Sequence, residues 1–201
     1  MKKNIAIFAS GRGSNFEAIA KAVKRGSLKT NLALVICDKS DALVLDKARK
    51  AKVKVELVER KCFGTRSEFE NEIIQILKKN KVDLVVLAGF MRVLSSDFIK
   101  EYRNKIINIH PSLLPAFKGE HGIKDAFNYG VKVTGVTVHF VDEEMDHGPI
   151  ILQKEIQVDK KDTLFSLEEK IHKLEHKLFP KAIDLFVKGK LKLEGRRVRI
   201  I

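Results

Sequence analysis

Asn108 and His110 stand two residues apart in INIHPSLLP, at the end of an apolar run. On an extended chain both side chains leave the same face. Asparagine offers an amide donor; histidine donates, accepts or exchanges a proton near neutral pH. Pro111 and Pro115 stiffen the segment beyond the histidine. A lone histidine at a strand end is most simply structural, and the partnered asparagine is what raises a chemical role. An acidic stretch, Asp142-Glu143-Glu144-Met145-Asp146-His147, comes later. It is either a solvated turn or the source of a carboxylate facing His110, and spacing does not choose between them.

Two further clusters carry chemical types. Ser10-Gly11-Arg12-Gly13-Ser14-Asn15 follows an apolar run and precedes a helical pattern. Glycines there let the backbone approach a ligand, and a helix start suits a phosphate. The third glycine of a dinucleotide fingerprint would fall at Phe16, and no Gly-Lys-Ser/Thr of a P-loop follows. An ordinary glycine turn capped by Ser14 or Asn15 is the simpler alternative. His172-Lys173-Leu174-Glu175-His176 has the spacing of an inverted zinc-protease motif. Such a match arises readily by chance in a Lys/Glu/His-rich helix, so a solvated face or a polar ligand contact from Glu175 is expected instead.

The elements needed to position these groups alternate. Strands are expected at Asn4–Ser10, Asn31–Cys37, Lys54–Glu59, Val82–Ala88 and Lys105–Ile109. Helices are expected at Phe16–Arg25, Asp41–Lys52, Ser67–Lys79 (with Ser67 as N-cap and Glu70 completing a capping box) and Ser96–Arg103. That rhythm predicts an α/β fold with a mostly parallel, doubly wound sheet. The C-terminal half reads as mixed: long strands at Val131–Val141 and Ile150–Val158, then a helix over Asp162–Val187 that Pro180 should bend or restart, then a strand or hairpin over Leu191–Ile200. Ligands of such sheets bind beyond the carboxyl ends of the strands, where the polar clusters fall.

Composition bounds the class. The 201 residues are 44% hydrophobic and 32% charged, which suits a globular chain, and no linker divides it, so a single domain over residues 1–201 is expected. No apolar run approaches a membrane span and no secretory leader is apparent, so a cytoplasmic location is expected. Two cysteines, Cys37 and Cys62, form no disulfide framework or zinc pair. The net charge of +13 comes largely from scattered lysines, with Lys188, Lys190, Lys192, Arg196, Arg197 and Arg199 gathered near the C-terminus. Without tryptophan and with two tyrosines, this is a solvated basic surface rather than a nucleic-acid reader. A positive field also attracts small anionic substrates.

Taken together, SGRGSN (10–15), VVLAGFMRVLS (85–95), INIHPSLLPAFKG (107–119), TGVTVHFVDEEMDHGPII (134–151) and LEHKLFP (174–180) resemble the phosphoribosylglycinamide formyltransferases of purine synthesis. The His-Pro-Ser-Leu-Leu-Pro stretch is shared by the wider formyltransferase superfamily. The resemblance implies a Rossmann-like formyltransferase fold. It also implies transfer of a formyl group from 10-formyltetrahydrofolate, as co-substrate, to the amine of phosphoribosylglycinamide. Small-molecule partners are implied, with no metal, nucleic acid or membrane, in a monomer or homodimer.

By the same resemblance, Asn108, His110 and Asp146 would be the catalytic group. Gly13, Ser14 and Asn15 would hold the ribonucleotide phosphate, and Glu175 the ribose hydroxyls. Arg66, Met91, Arg92, Val93 and Leu94 would line the folate site, with Asn108 and the loop residues Asp142, Glu143, Glu144 and Met145. Asn108 and protonated His110 would stabilise a tetrahedral oxyanion, and Asp146 would favour the imidazolium by opposite charge. Residues 112–132 would form a mobile loop. Glu120, Met145 and His147 depart from the residues more usual in the family. Methionyl-tRNA formyltransferase and formyltetrahydrofolate deformylase are disfavoured, because each carries an additional domain for which 201 residues leave no room. A nucleotide-binding module without catalysis would have no use for Asn108, His110 and Asp146 together.

Overall fold

The computed structural model describes residues 2–201. Residue contacts divide the chain into two compact units, one ending at Ile107 and one beginning at Asn108.

The first unit is a run of parallel strand–helix repeats. Strands β1 (Asn4–Phe8), β2 (Asn31–Cys37), β3 (Lys54–Leu57) and β4 (Leu84–Leu87) alternate with helices α1 (Ser14–Lys24), α2 (Val44–Lys50), α3 (Arg66–Lys79) and α4 (Ser96–Glu101). β1 pairs in parallel with β2 on one side and β4 on the other, and β3 extends β2. Val85 and Val86, like Ile5 to Phe8, are fully buried. Strands covered on both faces need such unbroken apolar runs. Phe8 packs edge-on against Phe90 and Phe98, with centroids 5.2 and 6.1 Å away.

β5 (Ile106–His110) carries the chain into the second unit, which contains α5 (Gly122–Tyr129), β6 (Val133–Phe140), β7 (Ile150–Gln157), α6 (Leu164–Val187) and the hairpin strands β8 (Leu191–Glu194) and β9 (Arg197–Ile200). β6 and β7 are antiparallel, which makes the sheet mixed. The strands hydrogen-bond in the order β3-β2-β1-β4-β5-β6-β7, flanked by helices, as the α/β expectation requires; β8 and β9 form a separate pair. No helix among the described residues is long and apolar enough to cross a membrane.

Several expectations need correction. The capping box of α3 is Thr65 with Glu68, not Ser67 with Glu70. Glu70 is instead buried on the stripe with Phe69, Ile73 and Leu77, and binds Ser95 and Arg66. The second helix starts at Val44 rather than Asp41. Helix α1 starts at Ser14 rather than Phe16, and its N-cap is Gly13, not Ser14 or Asn15 as in the simpler alternative. Helix α6 runs through Pro180 without restarting. Leu167, Ile171, Phe179, Ala182 and Ile183 are buried on both sides of the proline, and packing of that face sustains the helix across it.

A helix also stands where the resemblance implies only a loop. α5 occupies part of residues 112–132, and Gly130 closes it at φ 80°. That terminal glycine is a legible stop signal.

Candidate active site

In the second unit, β5 presents Asn108 and His110 from one face, and the turn after β6 returns Asp146 to them. Nδ1 of His110 lies 3.3 Å from one Asp146 oxygen. The Asn108 amide donates to the other at 3.4 Å, and approaches Nε2 of His139 at 3.3 Å. His110 is 3% exposed, and the Asp146 side chain 10%. The three residues singled out in the sequence are thus brought together.

His139, on β6, is not among the residues the sequence singles out. Its Nδ1 lies 2.7 Å from the Phe140 carbonyl, so that nitrogen carries the proton and Nε2 is left to accept from Asn108. Burial holds its pKa below the ordinary imidazole value. A neutral ring therefore orients the carboxamide. The available signal is period two on β6: Thr137 and His139 are polar residues in a fully buried stretch.

The segment after β5 closes over these groups. Nε2 of His110 lies 2.7 Å from the Phe117 carbonyl, and the Gly119 N–H donates to Asp146 at 2.8 Å. Nε2 of His110 thus faces a backbone acceptor, and Nδ1 faces the Asp146 carboxylate. Thr137 anchors the segment by donating to the Ser112 carbonyl at 2.7 Å and accepting from the Leu114 N–H at 3.1 Å. Phe117 and Asp146 both have φ of 50°, a left-handed conformation costly for residues other than glycine.

The turn carrying Asp146 is internally tied. The Asp142 carboxylate accepts from the Glu144 N–H at 3.2 Å and lies 2.8 Å from Nδ1 of His147. Met145 is 57% exposed, and Glu143 and Glu144 are exposed. Glu175 is the acid on the buried stripe of α6, and lies 3.0 Å from Nδ1 of His172. Among the described residues, no group of three or more His, Cys, Asp or Glu side chains is arranged to hold a metal ion.

In the first unit, Gly13 opens α1 at φ 69°. A Cβ there would lie 2.7 Å from Val44 Cγ2, so conformation and space both require glycine. Ser14 and Asn15 follow in the first turn of α1, the end of a helix that favours anions. The strip 91–94 precedes α4. Met91 and Val93 are exposed and Leu94 buried, and Arg66 donates to the Val93 carbonyl at 2.5 Å. Arg92 reaches Asp38, at the end of β2, at 2.5 Å and lies over the Phe69 ring. The guanidinium groups of Arg66 and Arg92 are therefore engaged within this unit.

The fold is an α/β sheet, and Asn108, His110 and Asp146 form a largely buried polar cluster at the end of β5. The chain belongs to the formyl transferase family, whose model matches residues 3–183. It is 48% identical to the phosphoribosylglycinamide formyltransferase of Bacillus subtilis (strain 168), over 90% of this chain and 93% of that one. It is 40% identical to the trifunctional purine biosynthetic protein adenosine-3 of Bos taurus, over 99% of this chain and 20% of that longer protein. The glycinamide ribonucleotide transformylase 1 structure from Symbiobacterium toebii superposes with a TM-score of 0.97 at 42% identity, covering 100% of this chain and 94% of that one. A formyltetrahydrofolate deformylase from Pseudomonas syringae, 23% identical over 66% of its own length, shares the fold with a TM-score of 0.93.

Proposed function

We propose that this chain is a single formyltransferase domain that moves the formyl group of 10-formyltetrahydrofolate to the amine of phosphoribosylglycinamide, in the cytoplasm. The observation that carries the chemistry is the His110–Asp146 contact at 3.3 Å, with the Asn108 carboxamide beside it. The reading of the substrates rests on the relatives, whose printed names specify this ribonucleotide.

The amine nitrogen attacks the formyl carbon, and the carbonyl electron pair moves onto oxygen. The Nε2–H of His110 receives that charge together with the Asn108 N–H that leaves Asp146, while the other Asn108 N–H stays on His139; preorganised donors are usually the largest single contribution to acyl transfer. The attacking nitrogen then gives up its proton, the bond from carbon to the folate nitrogen breaks, and the folate nitrogen takes a proton. Asp146 orients the imidazolium and helps relay that proton, through water where no direct path exists. No covalent enzyme intermediate is required.

In the closed arrangement the Phe117 carbonyl holds the Nε2–H of His110, and the formyl oxygen must take its place. Residues 112–122 therefore shift during turnover. Gly13, Ser14 and Asn15 bind the 5′-phosphate, and Glu175 binds the ribose hydroxyls. Met91, Val93 and Leu94 line the folate site, together with the backbone at Arg92, the Arg66 side chain and residues 142–145.

The test is formyl transfer by purified protein. Formylation of phosphoribosylglycinamide, dependent on 10-formyltetrahydrofolate and indifferent to chelators, is expected. Release of formate with the ribonucleotide untouched, or formylation of methionyl-tRNA instead, overturns the reading.

A further inference from the structure

The turn bearing Asp146 is tethered from outside. Asp146 holds a left-handed φ of 50°, which the surroundings must enforce. On one side, Gly148 passes so close to β6 that an added Cβ would lie 1.9 Å from the Phe140 carbonyl. On the other, His147 is gripped by the C-terminal hairpin. The two-residue turn Gly195-Arg196 joins β8 to β9, and Gly195 takes φ 59°, as the first position of such turns favours. The hairpin packs on β7 through β9 and so presents Arg196 to the turn. One guanidinium nitrogen lies 2.9 Å from Nε2 of His147, and another donates to the His147 carbonyl at 2.5 Å.

The guanidinium nitrogen near Nε2 of His147 also lies 3.3 Å from Nδ1 of that ring. Arginine only donates and Asp142 only accepts, so the tautomer that satisfies both neighbours carries its proton on Nδ1, toward Asp142 at 2.8 Å, and accepts from Arg196 at the nearer Nε2. Asp142 in turn holds the Glu144 N–H, so Arg196, His147 and Asp142 form one chain around the turn that contains Asp146. Glu144 lies 3.9 Å from Nε2 of His147.

We propose that Arg196 and His147 are positioning residues for the transferase reaction: the hairpin clasps the turn through the His147 ring and so fixes the Asp146 carboxylate against His110. This rests on the role proposed for Asp146. It also gives one cation of the basic C-terminal segment a task unconnected with nucleic acid.

The test is steady-state kinetics on Arg196→Ala, His147→Ala and His147→Gln, alone and combined. Slight loosening of a catalytic carboxylate should lower kcat by about threefold to tenfold in both alanine variants, with KM for the ribonucleotide unchanged. Glutamine can donate and accept at the same two places, so His147→Gln should recover to within about twofold of wild type. The double alanine variant should be no slower than the worse single one. Losses that multiply in the double variant, or a glutamine variant as impaired as the alanine one, overturn the clasp. In an Asp146→Asn background, Arg196→Ala should cost nothing further. A further loss of the same size shows Arg196 acting elsewhere and overturns the proposal. Full activity in Asp146→Asn alone instead removes the role of Asp146.

Discussion

The Asn108 carboxamide lies 3.3 Å from a histidine, His139, whose other ring nitrogen is already committed to the Phe140 carbonyl. Its placement therefore depends on His139 staying neutral. Burial, the largest influence on that ring, depresses its pKa. The unfolded chain takes up a proton there as pH falls through about 6.5, whereas the folded chain resists until lower pH. The stability this group contributes is complete above that value and lost on acidification. The thermal midpoint of His139→Gln should therefore fall less steeply than wild type below neutral pH; identical slopes contradict the assignment.

In the proposed reaction, Asp146 and His110 act on charge that develops as the formyl group is transferred. His110→Ala and Asp146→Asn should each lower kcat by about 100-fold to 1,000-fold, the range seen for a lost oxyanion donor. KM for the ribonucleotide should stay close to wild type. A rise in KM with kcat intact would make these residues binding groups.

Gly122 opens α5 beneath the imidazole. An added Cβ would lie 3.1 Å from Nε2 of His110 and 3.0 Å from the Phe117 carbonyl. Gly122→Ala should therefore displace the ring or the closing segment and lower kcat by about tenfold or more, since a misplacement near 1 Å can cost 100-fold. A thermal midpoint near wild type would separate this from unfolding. Unchanged kcat would mean the ring has room to move.

The start of α1 should report on phosphate binding alone. Ser14→Ala combined with Asn15→Ala should raise KM for the ribonucleotide about tenfold or more and leave kcat at saturation near wild type. An unchanged KM would contradict phosphate binding there. Gly13→Ala should also destabilise the fold, by about 1–3 kcal/mol, because it combines a left-handed φ with a clash against Val44.

Much of this protein is set by one-dimensional pattern. Unbroken apolar strands alternating with amphipathic helices predict the parallel α/β layout, because a strand apolar on both faces must be covered on both, and a stripe of period 3.6 gives each helix one face to cover it with. Gly11 and Gly13 mark the turn before α1, and the Asn108–His110 spacing puts two polar groups on one side of β5. Local signals that compete are less decisive. Thr65 and Ser67 both offer a cap three residues before an acid, and burial of Glu70 against Ser95 selects Thr65.

Tertiary structure alone decided the rest, because it brings together groups whose separation in the chain carries no geometric information. Nothing in an acidic turn says which carboxylate reaches the imidazole; the left-handed Asp146 and the close passage of Gly148 over Phe140 select it. Nothing in a valine-rich strand says that His139 is a neutral acceptor for Asn108; burial and the Phe140 carbonyl do. The link from Arg196 to His147 joins residues 49 apart, and only the packing of the terminal hairpin on β7 makes them neighbours.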